Sequence, residues 1–370
     1  MWRVPSRRRD AQRGSWPPTR VSTARAGYLL TVGALLVGAI LLAPTSIRMG
    51  APRAQVLPPA PITAVAKMGM TVEDMDRSVA FYTSVLDFEK LSDVEVAGAE
   101  YEALTGVFGL RARIVDLQLG DETLDLTEYL TPRGREIPRD SRSNDRWFQH
   151  VAIITSDMVA AYDRLRTNNV RHASTGPQRL PDWNPSAGGI EAFYFFDPDW
   201  HVLEVLQFPD GKGDLKWHRD RGLFLGIDHT AIVVADTEAS VRFYGDLLGL
   251  QIVGTSENYG DEQAHLNNVY GAHLRITTLH AASGPGVELL EYLAPRDGRV
   301  YPARARPNDL FHWQTTVVSA DARQTFETVR AQAPSPVSGN LVAFPDAGKE
   351  FRVAGLIRDP DGHALQVVGR

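Results

Sequence analysis

Between residues 62 and 370 the apolar positions switch between strand-like runs and helical spacing, and the switching recurs. Val65–Val72 and Ile227–Val234 read as short buried strands. Each leads into a helix, with Val79, Tyr82, Val85 and Leu86 on one apolar stripe and Val241, Tyr244, Leu247 and Leu248 on the other. Asp74 and Asp236 stand where helix caps belong. Strands follow at Arg113–Leu119 and Thr123–Tyr129, and again at Leu274–Leu279 and Val287–Leu293. New strands then start at His150–Thr155 and Gln314–Val318, followed by helices near Met158–Arg166 and Ala322–Ala331. Asp197-Pro198-Asp199 and Asp359-Pro360-Asp361 supply the turn chemistry of the closing hairpins. The predicted order is strand, helix, three strands, in four successive units.

The recurrence is a duplication. Val72 to Tyr82 matches Val234 to Tyr244 (234 − 72 = 162), and Glu128-Tyr-Leu-Thr-Pro-Arg133 matches Glu291-Tyr-Leu-Ala-Pro-Arg296 (291 − 128 = 163). Asn144-Asp145 matches Asn308-Asp309 at 164, and the two Asp-Pro-Asp turns match at 162. Anchors in one order with a nearly constant offset mark an internal repeat.

Composition narrows the chemistry. The chain is 43% apolar, as a core-forming protein is, and has no cysteine, so any metal is held by His, Asp, Glu, Gln or water. Net charge is −6, but residues 1–55 hold nine arginines and one acid, or +8, leaving −6 − 8 = −14 on the remainder. An acidic body of this kind is a poor partner for nucleic acid.

The N-terminus divides into a basic tail (1–27), an apolar segment (28–44) and a Pro-rich linker (45–61). Tyr28–Ala43 is free of charge and is preceded by seven arginines, so the positive-inside bias predicts a cytoplasmic tail and a body across the membrane. The segment is read as an uncleaved anchor or an export signal, which makes the body membrane-anchored or exported. One copy of the repeat then spans 62–209, a linker 210–224, and the other copy 225–370.

The four-unit pattern, with helices ending in Phe-Tyr and last strands following Asp-Pro-Asp, resembles the vicinal-oxygen-chelate superfamily. Glyoxalase I, methylmalonyl-CoA epimerase, extradiol dioxygenases and fosfomycin-resistance proteins belong to it. The resemblance implies an α+β fold of two tandem domains, each a pair of βαβββ units forming a curved mixed sheet. It also implies a divalent metal held at the first and fourth strands of two units. Carried over by position, the candidates are Lys67 and Asp125, His150 and Glu204, His229 and Glu288, and Gln314 and Gln366.

Pairing the second unit with the third collects His150, Glu204, His229 and Glu288, a donor set suited to one Ni²⁺, Zn²⁺, Co²⁺, Mn²⁺ or Fe²⁺. The complementary cup would hold Lys67, Asp125, Gln314 and Gln366 and reads as degenerate, because an ammonium repels a cation. Pairing within each copy is the rival geometry and gives neither copy two histidines. A slip of register by one residue would bring in Glu128 and Glu291 instead. His312 and Trp313, beside Gln314, could line the degenerate cup.

The resemblance further implies a lyase or isomerase acting on a small vicinal-oxygen substrate through an enolate-like state, with Glu204 as the proton-shuttling base. A binding or resistance-type module without turnover is the alternative, and an extradiol-type dioxygenase a more remote one. Two copies in one chain already form a pseudo-dimer, so a monomer is expected.

Overall fold

A computed structural model describes residues 61–219, 222–332, 336–344 and 351–369. The first unit holds β1 (Ile62–Val72), α1 (Met75–Val85), β2 (Glu89–Lys90), β3 (Val94–Ala97), α2 (Ala99–Thr105), β4 (Arg111–Leu119) and β5 (Glu122–Thr131). The second holds β6 (Gln149–Thr155), α3 (Met158–Thr167), β7 (Gln178–Arg179), β8 (Glu191–Phe196) and β9 (Val202–Gln207). The third holds β10 (Phe224–Val234), α4 (Thr237–Val241, continued by a π-helical turn Arg242–Leu247), β11 (Gln251–Tyr259), α5 (Asp261–Asn267), β12 (His273–His280) and β13 (Gly286–Ala294). The fourth holds β14 (Trp313–Ser319), α6 (Ala322–Gln332), β15 (Val342–Ala343), β16 (Val353–Arg358) and β17 (Ala364–Gly369).

Within each unit the first strand pairs parallel to the last, as a helix crossover requires. Units then join across the repeat. β1 pairs antiparallel with β14, and β10 with β6. One sheet therefore runs β15-β16-β17-β14-β1-β5-β4-β2, with β3 also on β4, and the other runs β11-β12-β13-β10-β6-β9-β8-β7. Each curved sheet is built half from one copy and half from the other.

Strand alternation sorts the side chains. In β6 every residue is buried, yet Val151 and Ile153 enter the main core while His150 lies on the opposite face. In β9 Leu203 and Val205 face that core and Glu204 faces away; in β13 Val287 and Leu289 do so around Glu288. The main core also takes Tyr82, Tyr244 and Phe326 from the helices and residues from both sheets. Each fully buried aliphatic side chain there contributes about 1.5–3 kcal/mol, which pins the register and holds the alternate residues in the cups.

The repeated motifs are joints. Tyr82, at the end of α1, donates to Asp197 Oδ2 at 3.1 Å, and Tyr244 donates to Asp359 Oδ2 at 3.0 Å. Asp145 binds Arg299 of the other copy at 2.7 Å, and Asp309 binds Arg135 at 2.6 Å. Glu128 accepts from the Met75 amide and Glu291 from the Thr237 amide, so both carboxylates hold helix N-termini, on the face away from the cups. Tyr82→Phe should lower unfolding free energy by about 1–3 kcal/mol, because Asp197 then loses a buried donor. Denaturant melts of the two proteins read this directly; an unchanged midpoint would deny the joint its role.

Two features were not expected. α2 and α5 interrupt the anticipated run of three strands in units one and three. The linker 210–224 is also not inert: Leu215–His218 forms a helical turn whose Trp217 is buried against one cup. Among the described residues no helix is long and apolar enough to cross a membrane. The tail, the Tyr28–Ala43 run and the linker that follows lie outside those residues, apart from Pro61.

Candidate metal centre

β6, β9, β10 and β13 bring His150, Glu204, His229 and Glu288 together on the concave face of one sheet. His150 Nε2 lies 3.1 Å from Glu204 Oε2, and His229 Nε2 lies 3.6 Å from that same oxygen and 3.4 Å from Glu288 Oε2. One ligand atom each from His150, Glu204 and His229 falls within 4.8 Å of the others. Glu288 stands just outside this triad, its other oxygen accepting from Thr278 Oγ1 at 2.7 Å.

Neighbouring side chains fix the rings. Asp228 Oδ2 lies 2.9 Å from His229 Nδ1, and Asp228 Oδ1 accepts from Trp217 Nε1 at 2.9 Å. This carboxylate–imidazole pairing leaves Nε2 as the free donor atom, the usual support of a metal-bound histidine. His150 packs beside Tyr194, ring centroids 4.9 Å apart. It is 1% exposed; Nδ1 has no hydrogen-bond partner, and Nε2, though 3.1 Å from Glu204 Oε2, is not aligned for a hydrogen bond. A buried imidazole without partners is unfavourable unless something else satisfies it.

The electrostatics point the same way. Burial alone would depress the His229 imidazole, but the charges of Glu288, Asp228 and Glu204 outweigh it and raise its pKa to about 10. Without a cation the carboxylates thus hold a proton in the cup. A divalent ion would replace that proton and take one nitrogen, Nε2, of each imidazole, so the residues present fit a metal.

The other sheet gathers Lys67, Asp125, Gln314 and Gln366, the positional counterparts of His229, Glu288, His150 and Glu204. Lys67 Nζ lies 2.7 Å from Asp116 Oδ1 and 3.6 Å from Asp125 Oδ2, and Gln314 Nε2 donates to Gln366 Oε1 at 3.4 Å. The ammonium supplies here the positive charge that an ion would supply opposite. Asp116 went unnoticed in the sequence, although its register opposite Asp125 places it in this cup.

His312 joins this cup through a 3.4 Å contact from Nε2 to Gln314 Oε1, and burial, reinforced by the Arg358 charge, lowers its pKa to about 3. The unfolded chain takes up a proton near pH 6.5 while the folded one does not, so the stability held above pH 6.5 is lost as pH falls toward 3. At pH 5 the loss is about 2 kcal/mol. Urea melts at pH 7.5 and pH 5 should show His312→Gln escaping that share of the decline; parallel declines would refute the assignment.

The cavity above the triad has a volume of about 820 Å³ and takes its walls from both copies and from the linker turn. That is ample for a small-molecule ligand.

Comparison with known proteins agrees with this architecture. The family model of the Glyoxalase/Bleomycin resistance protein/Dioxygenase superfamily matches residues 64–205 and again 226–367. A 2-epi-5-epi-valiolone epimerase from Actinomyces sp is 33% identical over 155 residues, which is 40% of this chain and 81% of that protein. Glyoxalase I from Zea mays is similar in fold, with a TM-score of 0.52 at 16% identity over 83% of this chain and 92% of its own. A point variant of the same enzyme gives 0.54 at 16% identity, with the same two coverages. The chain belongs to the glyoxalase/bleomycin resistance/dioxygenase (vicinal-oxygen-chelate) superfamily.

Proposed function

We propose that the protein is a metal-dependent isomerase or lyase of the glyoxalase type, moving a proton at the carbon beside a carbonyl in a small vicinal-oxygen substrate. The observation that carries this reading is the convergence of His150, Glu204 and His229, drawn from both copies, in the wall of one large cavity. Held by these residues and Glu288, a divalent ion would act as a Lewis acid that acidifies the adjacent C–H.

The chain supplies the proton handling. Glu204 is the base, 4% exposed in the cavity wall and close to both imidazoles. Glu288 faces it from the other copy across His229. Two carboxylates approaching from different units allow one to take a proton and the other to return it on the opposite face, which inversion at carbon requires. Leu206, Leu274, Ile276 and Leu290 line the same cavity and restrict water beside the reacting carbon. The epimerase relative supports an isomerase over a ring-cleaving reaction.

The test is deuterium uptake beside the carbonyl of α-hydroxyketones in D₂O, followed by proton NMR on the metal-loaded chain. Glu204→Gln should slow uptake by about 10²–10⁴-fold, with metal content assayed in parallel. Ligand binding with no uptake above the metal-free control would overturn the proposal and leave a binding module.

A further inference from the structure

The two cups occupy equivalent places in the repeat, and their differences show what the metal-bearing one is built to hold. α5 lies over that cup, its C-terminal end tied to the second unit by Ser174 Oγ donating to the Leu266 carbonyl at 2.6 Å. Gln263 on this helix lines the cavity and is 2% exposed. Its Nε2 donates to Asn267 Oδ1 at 2.5 Å, while its Oε1 has no partner. Asn258, at the end of β11, lines the same wall, its Oδ1 accepting from Asn184 Nδ2 at 2.7 Å.

At the offset of 162, Asn258, Gln263 and Asn267 correspond to Val96, Tyr101 and Thr105 in the first copy. There Tyr101 packs on Phe344, ring centroids 5.3 Å apart, within an apolar cluster that includes Leu104, Phe351 and Leu356. At these three positions the cup with the paired histidines carries carboxamides where its counterpart carries none. Gln263 Oε1 is the acceptor these amides leave open, and a buried amide oxygen without a partner is destabilising.

Charge narrows the ligand further. Among the described cavity-lining residues the one Lys or Arg is Lys216, which binds Glu122 Oε1 at 2.6 Å and lies over the Trp217 ring at 4.2 Å. Asp214 and Asp228 add negative charge to the same wall. Among the described residues a phosphate or carboxylate away from the triad would meet His280 but no uncommitted Lys or Arg. Such groups are normally met by arginine or lysine.

From these observations, and resting on the reading of the cup given above, we infer that the substrate is a neutral polyhydroxylated ketone. One of its hydroxyls donates to Gln263 Oε1, and Asn258 supplies the neighbouring amide contact. Gln263 is thereby a specificity-determining residue.

The experiment uses the full chain loaded with Mn²⁺ and reads binding without turnover, from the paramagnetic relaxation of ligand protons. The probes are an inosose and D-fructose as neutral ketones, with D-fructose 6-phosphate and 2-keto-D-gluconate as anionic counterparts of similar size. The neutral pair should bind at least about tenfold more tightly, and Gln263→Leu should remove about tenfold of that affinity, the range expected for a lost hydrogen bond, with Mn²⁺ content unchanged. Gln263→Glu keeps an acceptor oxygen and should retain neutral binding better than Gln263→Leu, which separates a lost contact from a damaged fold. Anionic ketones binding as well as or better than neutral ones, or an unchanged affinity in a Gln263→Leu protein of normal melting temperature, would overturn the inference. Neutral ketones that bind near Mn²⁺ and show no deuterium uptake would sink the catalytic proposal and leave this one standing; uptake confined to anionic ketones would do the reverse.

Discussion

Replacing His150 or His229 by alanine, one at a time, is expected to empty the same metal site. Elemental mass spectrometry on the reconstituted protein should find near one divalent ion per chain, and each variant should fall close to zero after identical dialysis. The argument is topological. His150 lies on β6 of the first copy and His229 on β10 of the second, and these strands pair antiparallel with Ala231 opposite His150. Neither copy alone contributes two imidazoles to this cup, so loss of either ring leaves one histidine and two carboxylates. Removing an outer-sphere partner of a ligand weakens affinity by roughly 10–100-fold, and removing the ligand itself should exceed that. Loss in only one variant would mean that the ion is held within one copy. No ion in the unmutated protein, even after reconstitution, would end the metal hypothesis for both.

How much of this was legible follows from which signals are periodic. The duplication stood out because its anchors are joints under several constraints at once: Tyr82 and Tyr244 must reach a carboxylate, and Asp145 and Asp309 must each accept a guanidinium from the other copy. The ligand positions were readable because alternation on a strand with one face in the core leaves little freedom to the other face. α2 and α5 were not readable, since each is seven residues long and begins after a glycine that offers no capping side chain. Asp228 escaped notice for a different reason. A neighbour of His229 on a regular strand points to the opposite face, but the pairing of β10 with β6 shifts register between Ile227 and His229. A bulge of this kind re-aims a side chain, and here it lets Asp228 reach its neighbour's ring. Gln263 carried no motif at all. It became visible only through comparison with Tyr101, once the fold showed that both residues stand over a cup.

The second large effect belongs to the cup without the paired histidines. Lys67→Met should lower stability by about 3 kcal/mol near neutral pH, toward the low end of what breaking a buried ion pair produces. The lysine and Asp125 side chains are 12% and 10% exposed, whereas Asp116 at 26% keeps part of its hydration. Burial, opposed by the Lys67 charge and reinforced by Asp116, already raises the Asp125 carboxyl above its ordinary value. Without the ammonium that carboxyl rises further and folding takes up a proton, so the defect should shrink as pH falls from 7 toward 5. Adding Asp125→Asn should restore most of the loss at neutral pH, because the charge that lacked a partner is gone while its shape remains. Chemical denaturation of the single and double variants across that pH range gives the coupling. A Lys67→Met protein as stable as its parent would show that the ammonium is a spectator. The expected pattern would instead make it the charge partner of the carboxylates in its own cup, standing where the proposed ion would stand across the repeat.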